Sequence, residues 1–259
     1  MEGSREEQRE RLRAERQVAE SQDAAAALAR KRRVQYLSLA AFAAVAAIVA
    51  LIVISQSGGG SSSPPANVAG AAQAAAEVKG IAQSGTTLGS SSAPVTVIEY
   101  GDPQCSSCKF FSENVAPNLI SAEVRPGKVR YEFRPLLIIG PDSKPAMKAA
   151  LAAGDQGRFW NFLQLFYLNQ GAENSGYVTD SFLTKIAKGA GVPDISKWTA
   201  DRNDPKWDAV IQQGSSQANS FGFSGTPSIV VQGPKGQKPI GGSSIPTLQQ
   251  IQAAIQQVS

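Results

Sequence analysis

The chain has only two cysteines, Cys105 and Cys108, and they stand three residues apart where one backbone pattern gives way to another. Before them, Val95, Thr96, Val97 and Ile98 form a β-branched run that follows Pro94, the signature of a strand. After them, Lys109, Phe110, Phe111, Ser112, Glu113, Asn114 and Val115 carry apolar residues at helical spacing. The pair therefore falls at a strand-to-helix junction. Residues i and i+3 of a first helical turn are near enough to close a disulfide with little backbone movement, so the pair can pass between dithiol and bridge. Cys105 gains more from the helix end. Unpaired N–H groups and the positive end of the helix dipole favour a thiolate there and make that sulfur a nucleophile near neutral pH.

Other uses of Cys-x-x-Cys fare worse on arithmetic. A structural zinc site needs four ligands, and a chain with 2 cysteines and 0 histidines would have to complete it with carboxylates or a second subunit. Attachment of a c-type haem needs histidine directly after the second cysteine, and position 109 is lysine. A permanent structural disulfide is the remaining alternative, but a bridge closing so small a loop removes little unfolded-chain entropy and stabilises weakly. The dithiol reading calls for no cofactor and no metal.

At 259 residues and 42% hydrophobic the chain can bury one substantial core, but its first third does not read as part of one. A net charge of +4, scattered and without a basic stripe interleaved with aromatics outside the N-terminal arm, argues against a nucleic-acid partner. Residues 34–54 are uncharged, with Gln35 and Ser38 as the clear polar exceptions, and are long enough to cross hydrocarbon, so a single transmembrane helix is expected. Arg30, Lys31, Arg32 and Arg33 abut its first end, while residues 55–65 are uncharged. The positive-inside rule then puts a charged tail, 1–33, in the cytoplasm and everything after 55 outside. A cleaved signal peptide is the rival, disfavoured by the length of the apolar run and of its basic leader. Residues 55–79 read as a flexible extracytoplasmic linker, Gly/Ser-rich at its start, although 67–83 also has the composition of a short Ala-rich helix.

Beyond the linker, Thr86, Thr87 and Leu88 suit a short edge strand, and the main strand runs from Val95 to Tyr100. Pro126 and Gly127 mark a turn, and Val129 to Phe133 alternates as a second strand ending near Pro135. Helical patterns follow at 144–153, 159–168 and 179–188, with a last helix that has Asp204 as N-cap and Pro205 at its first position. Pro227 to Val231 returns to strand character, Lys238 to Ile240 suits its hairpin partner, and 247–258 reads as a final helix. The order is β-α-β, helices, β-β-α. Phe159, Trp160, Phe162, Leu163, Leu165 and Phe166 are expected to pack a core rather than to line a groove for unfolded substrate.

Three motifs now stand in order: Glu99-Tyr100-Gly101-Asp102-Pro103-Gln104-Cys105-x-x-Cys108-Lys109, Gln156-Gly157-Arg158-Phe159-Trp160, and Gly225-Thr226-Pro227. With a helical stretch between the second and third, the chain from about residue 80 to its C-terminus resembles the membrane-anchored DsbA-like thiol-disulfide oxidoreductases of the thioredoxin superfamily. The resemblance implies an α/β thioredoxin fold over 80–259, with a helical insertion at about 143–222 between its βαβ and ββα halves, preceded by the transmembrane helix. It implies that Cys105 is the exposed nucleophile and Cys108 the buried resolving cysteine. It also implies that the Thr226–Pro227 bond is cis and faces the disulfide, and that Glu99 helps move the proton of the resolving thiol. One departure bears on the chemistry. Many relatives place proline, histidine or an aromatic residue between the cysteines, whereas Ser106 and Ser107 stand here.

The expected activity is extracytoplasmic exchange of a Cys105–Cys108 disulfide with dithiols of translocated proteins, the disulfide being regenerated by a membrane redox partner such as a quinone-linked reoxidase. A reductase or isomerase fed by a membrane electron carrier is the same-class alternative, and a non-catalytic thioredoxin-fold binding module the rival from another class. Without a histidine, no imidazolium can hold the thiolate. A helix end and a few hydrogen bonds then set an expected Cys105 pKa of about 5 to 7, and any formal positive charge would have to come from Lys109.

Overall fold

A computed structural model describes residues 68–242 and 244–259. The cytoplasmic tail expected at 1–33, the transmembrane helix expected at 34–54 and the first part of the linker lie outside the described residues. Among those described, no helix is long and apolar enough to cross a membrane. The fold begins earlier than the linker reading allowed. Helix α1, Ala71–Val78, already packs on the folded unit, with Ala74 and Val78 buried.

A six-stranded sheet runs in the order β1-β2-β4-β3-β5-β6. Its strands are β1 (Gln83–Ser84), β2 (Thr87–Leu88), β3 (Val95–Gly101), β4 (Val129–Pro135), β5 (Ser228–Gly233) and β6 (Gly236–Ile240). β3 and β4 are parallel, and every other pairing is antiparallel. Thr87 and Leu88, expected as an edge, sit between β1 and β4, because two residues of β1 pair with them on the outer side. The parallel pair needs a crossover. It is made by α2 (Ser106–Asn114), α3 (Ala116–Leu119) and a π-helical turn, Ile120–Val124.

Every residue of β3 is buried, Thr96 and Glu99 included, which fits its mainly apolar run and its place between two strands and under helices on both faces. Side chains alternate across it. Val95 and Val97 join the main core with Phe111, Tyr131 and Phe133, while Ile98 and Tyr100 point the other way, onto Leu136, Ala218, Phe223 and Val230. Glu99 has the parity of Val97, so it faces the side of the sheet that carries α2.

Between β4 and β5 come α4 (Ser143–Gly154), α5 (Phe159–Leu168), α6 (Asp180–Gly189), α7 (Ile195–Asp201) and α8 (Lys206–Ser220), the insertion expected at about 143–222. Of the α5 aromatics, Phe159, Trp160, Phe162 and Phe166 are buried core residues, and Trp160 packs on Tyr131 with ring centroids 4.4 Å apart. α7 was not expected, having only Ile195 and Trp198 as apolar markers. Its N-cap, Asp194, accepts from Lys197 N–H at 2.8 Å, and the fully buried Trp198 donates its ring N–H to Ala149 O at 2.8 Å. α8 starts one residue later than its sequence signals indicated. Asp204 caps it by accepting from Lys206 N–H at 2.8 Å, and Pro205 takes the N-cap place. The last helix, α9 (Leu248–Val258), is closed at its start by a capping box between Thr247 and Gln250.

The insertion is seated on the sheet by a close approach. Helix α8 crosses β4 at Gly214, where an added Cβ would stand 2.3 Å from Pro135 O. Alanine is the better helix former by about 1 kcal/mol, but a clash with a backbone oxygen has no rotamer to relieve it, and overpacking costs about 1–3 kcal/mol. Gly214→Ala is therefore expected to lower the free energy of unfolding by up to about 2 kcal/mol in guanidinium denaturation, against the direction of helix propensity.

Candidate active site

The end of β3 delivers the chain into a tight turn that aims both sulfurs. Asp102, fully buried, accepts from Gln104 N–H at 2.9 Å, Ile138 N–H at 2.8 Å and Ile139 N–H at 3.0 Å. One carboxylate thus fixes the cysteine turn to the segment after β4. Cys105 N–H then donates to Asp102 O at 3.0 Å, and Cys105 O accepts from Lys109 N–H at 3.1 Å as the first bond of α2. Cys105 is the N-cap of that helix, with an extended backbone (φ −70°, ψ 121°).

Both cysteines are free thiols. Cys108 is fully buried, and Cys105 is only 6% exposed. The expectation of an exposed Cys105 is thereby corrected: the loop before β5 covers the sulfur, with Cys105 Sγ 3.4 Å from Thr226 O. The Thr226–Pro227 bond of that loop is cis. The Thr226 hydroxyl in the same loop is buried without a hydrogen-bond partner.

The two thiols have opposite acidities. Donation by the Cys108 thiol is the leading influence on Cys105, ahead of the opposing cost of burial; with help from Thr226 and the Cys108 and Ser107 N–H groups it lowers the Cys105 pKa to about 6. That value lies within the range expected from a helix end and neutral donors. Burial pushes Cys108 far the other way, and its donation to Cys105 and the nearby Glu99 charge add to the rise. Lys109, the one cation in the motif, leans along α2 toward Glu113 at 3.9 Å.

Glu99 lies beneath this pair, 3% exposed, and accepts a short hydrogen bond from the buried Tyr131 hydroxyl. Burial raises its pKa to about 7, against the Tyr131 bond and with the Cys105 charge adding to the rise. Tyr131 is held neutral, first by burial and then by the charge of Glu99. Cys105, Cys108, Thr226, Pro227 and Glu99 thus belong to one region of the fold. Among the described residues no group of three or more His, Cys, Asp or Glu side chains could hold a metal ion.

Sequence reasoning missed the other wall. The loop between α5 and α6 is pinned to the cysteine turn: Gln170 Nε2 donates to Pro103 O at 2.7 Å and Cys105 O at 3.2 Å, and Asn174 N–H donates to Gln104 Oε1 at 3.1 Å. Gln104, itself fully buried, donates to the Tyr177 hydroxyl at 2.9 Å. Glu173 Oε1 accepts from Ser106 N–H, in the first turn of α2, at 3.1 Å. Asp102 had a sequence signal, an Asp-Pro turn directly after a buried strand. The loop residues had none, since their partners lie about seventy positions away.

The relatives of this chain include proteins named for disulfide bond formation. A "Probable disulfide bond formation protein D" of Bacillus anthracis is 30% identical over 151 residues, covering 57% of this chain and 69% of that protein. The crystal structure of oxidised BdbD from Bacillus subtilis superposes with a TM-score of 0.58 over 68% of this chain and 96% of that one, at 24% identity. A thioredoxin-like oxidoreductase from Silicibacter pomeroyi does so with a TM-score of 0.54 at 28% identity, over 66% and 89% of the two chains. The family model described as thioredoxin matches residues 82–256, from β1 to α9. With that match spanning the whole sheet and both cysteines, the chain belongs to the thioredoxin family, as a DsbA-like thiol-disulfide oxidoreductase.

Proposed function

We propose that the domain works outside the cytoplasm, anchored by residues 34–54, and that its Cys105–Cys108 disulfide oxidises dithiols of translocated proteins before a membrane reoxidase, such as a quinone-linked partner, restores it. The observation that carries this reading is the placing of two thiols at one helix end, Cys105 at the N-cap and Cys108 fully buried one turn further in, which lowers Cys105 to about 6 and raises Cys108. A substrate thiolate attacks Cys105 Sγ, the S–S bond to Cys108 breaks, and its electron pair leaves on Cys108. That thiolate is buried and takes up a proton, for which Glu99, with a pKa of about 7, is the donor in reach of the pair's field. A second substrate thiolate then attacks the substrate sulfur of the mixed disulfide and expels Cys105. The leaving sulfur departs readily because its thiolate is stabilised. Substrate gains one disulfide, and the enzyme ends as the dithiol. What stabilises the Cys105 thiolate stabilises the reduced enzyme, and so moves the couple toward oxidation of substrate relative to an unperturbed thiol pair.

The location is supported by the uncharged stretch at 34–54 behind Arg30, Lys31, Arg32 and Arg33, and by the disulfide-forming names of the relatives. Cys105 is expected to alkylate with a pH midpoint near 6 in the reduced protein while Cys108 stays protected, and a membrane-impermeant maleimide applied to intact cells after reduction should label it. Equal rates at both thiols, or labelling only after lysis, would count against the reading.

Glu99 adds a pH signature. Its folded pKa is raised from 4.5 to about 7, so its contribution to stability is full below about 4.5 and is lost as pH rises through 7. Glu99→Gln removes that loss. The variant should gain on the wild type by about 3 kcal/mol between pH 4.5 and 7.5 in urea denaturation, with slower thiol exchange near neutrality.

A further inference from the structure

We propose that Glu173, carried by the α5–α6 loop, is a positioning residue that limits the reactivity of Cys105 by competing with its thiolate for the amino end of α2. The competition follows from where the carboxylate sits. Four N–H groups open a helix without partners, and a thiolate at the N-cap draws on them. Here Glu173 Oε1 takes the Ser106 N–H at 3.1 Å, which leaves the Ser107 and Cys108 N–H groups for the sulfur. Ser106 N is one peptide bond from Cys105, so covalent geometry and the 3.1 Å bond keep that carboxylate oxygen within about 8 Å of Sγ. That is no more than the screening length of about 8 Å at physiological salt. A like charge at that range disfavours the thiolate.

The carboxylate is held there although its side chain is exposed. Gln170 bonds Pro103 O and Cys105 O, and Asn174 bonds Gln104 by its N–H and Ile139 O by Nδ2 at 2.9 Å. Gly176 N–H donates to Asp142 Oδ2 at 3.1 Å. These contacts bracket Glu173 on both sides in sequence. The other charged or titratable groups around Cys105 are otherwise engaged. Lys109 is turned to Glu113, Asp102 accepts three N–H groups, Asp142 accepts from Gly176, and Glu99 accepts from Tyr131, while Tyr167 donates to Asp102 O at 3.2 Å. Cys108 is the other thiol of the pair. The disulfide carries no charge, so Glu173 acts on the reduced state alone and holds the couple at a more reducing potential than the helix end by itself would set.

This rests on Cys105 being the reacting sulfur, and the experiment separates the two claims. Thiolate titration and glutathione equilibration are run on the full chain as wild type, Glu173→Gln and Glu173→Ala, at low and high potassium chloride. Glu173→Gln keeps an acceptor for Ser106 N–H and removes only the charge. It should increase the acid dissociation constant of Cys105 about threefold and shift the potential about 14 mV positive, the same factor converted at 29.6 mV per decade, with both differences shrinking at high salt. Identical constants in wild type and Glu173→Gln, or differences untouched by salt, would overturn the proposal. A wild-type Cys105 with no acidic titration would instead overturn the assignment of the reacting sulfur.

Discussion

The placing of the two thiols on one helix end, Cys105 at the N-cap and Cys108 fully buried one turn further in, is the constraint on which the site depends, because it separates two side chains that are chemically identical in isolation. At a helix N-cap a sulfur meets unpaired N–H groups, and one turn further in it meets packed apolar side chains. Cys105 is thereby lowered to about 6 and Cys108 is raised. Neither effect needs a formal positive charge. The chain has no histidine, and Lys109 is turned to Glu113. Neutral donors do the work that an imidazolium would otherwise do, and they shift a thiol by a few units at most.

Everything else holds that helix end in place. β3 is buried on both faces, so its C-terminal end cannot shift without disturbing two cores. Asp102 then gathers three N–H groups from two segments. Leaving those donors unpaired in the interior would cost about 1–3 kcal/mol each, which makes one buried carboxylate an economical lock. The insertion supplies the opposite wall through Gln170, Glu173, Asn174 and Tyr177, and it is seated on the sheet where α8 meets β4 at Gly214. The helical region is therefore part of the site as well as a lid of core around it.

What could be read in advance was local. The β-branched run before the cysteines, the alternating strand ending at Pro135, the aromatic α5 and the Thr247–Gln250 cap announce themselves in neighbouring residues, and the β-α-β, helices, β-β-α order follows from them. Glu99 was legible as a position but not as an environment. Its partner Tyr131 lies on another strand, and only the parallel register of β3 and β4 brings them together. α7 was hidden because seven residues with two apolar markers carry too little periodicity. The α1 segment was open to two readings, linker or Ala-rich helix, and packing on α5 decides for the helix. The burial of Cys105 was misread for a related reason, since its cover comes from Thr226, 121 positions away.

The central claim is that neutral donors at one helix end set the redox chemistry of the pair. Its most direct test is the equilibrium potential of the Cys105–Cys108 couple in glutathione buffers at pH 7. With a thiolate of pKa about 6, the potential should fall between those of thioredoxin, about −270 mV, and DsbA, about −120 mV, and nearer the former. A value at or above about −120 mV would require a charge that this site does not contain, and one well below −270 mV would mean that the Cys105 thiolate is not stabilised at all.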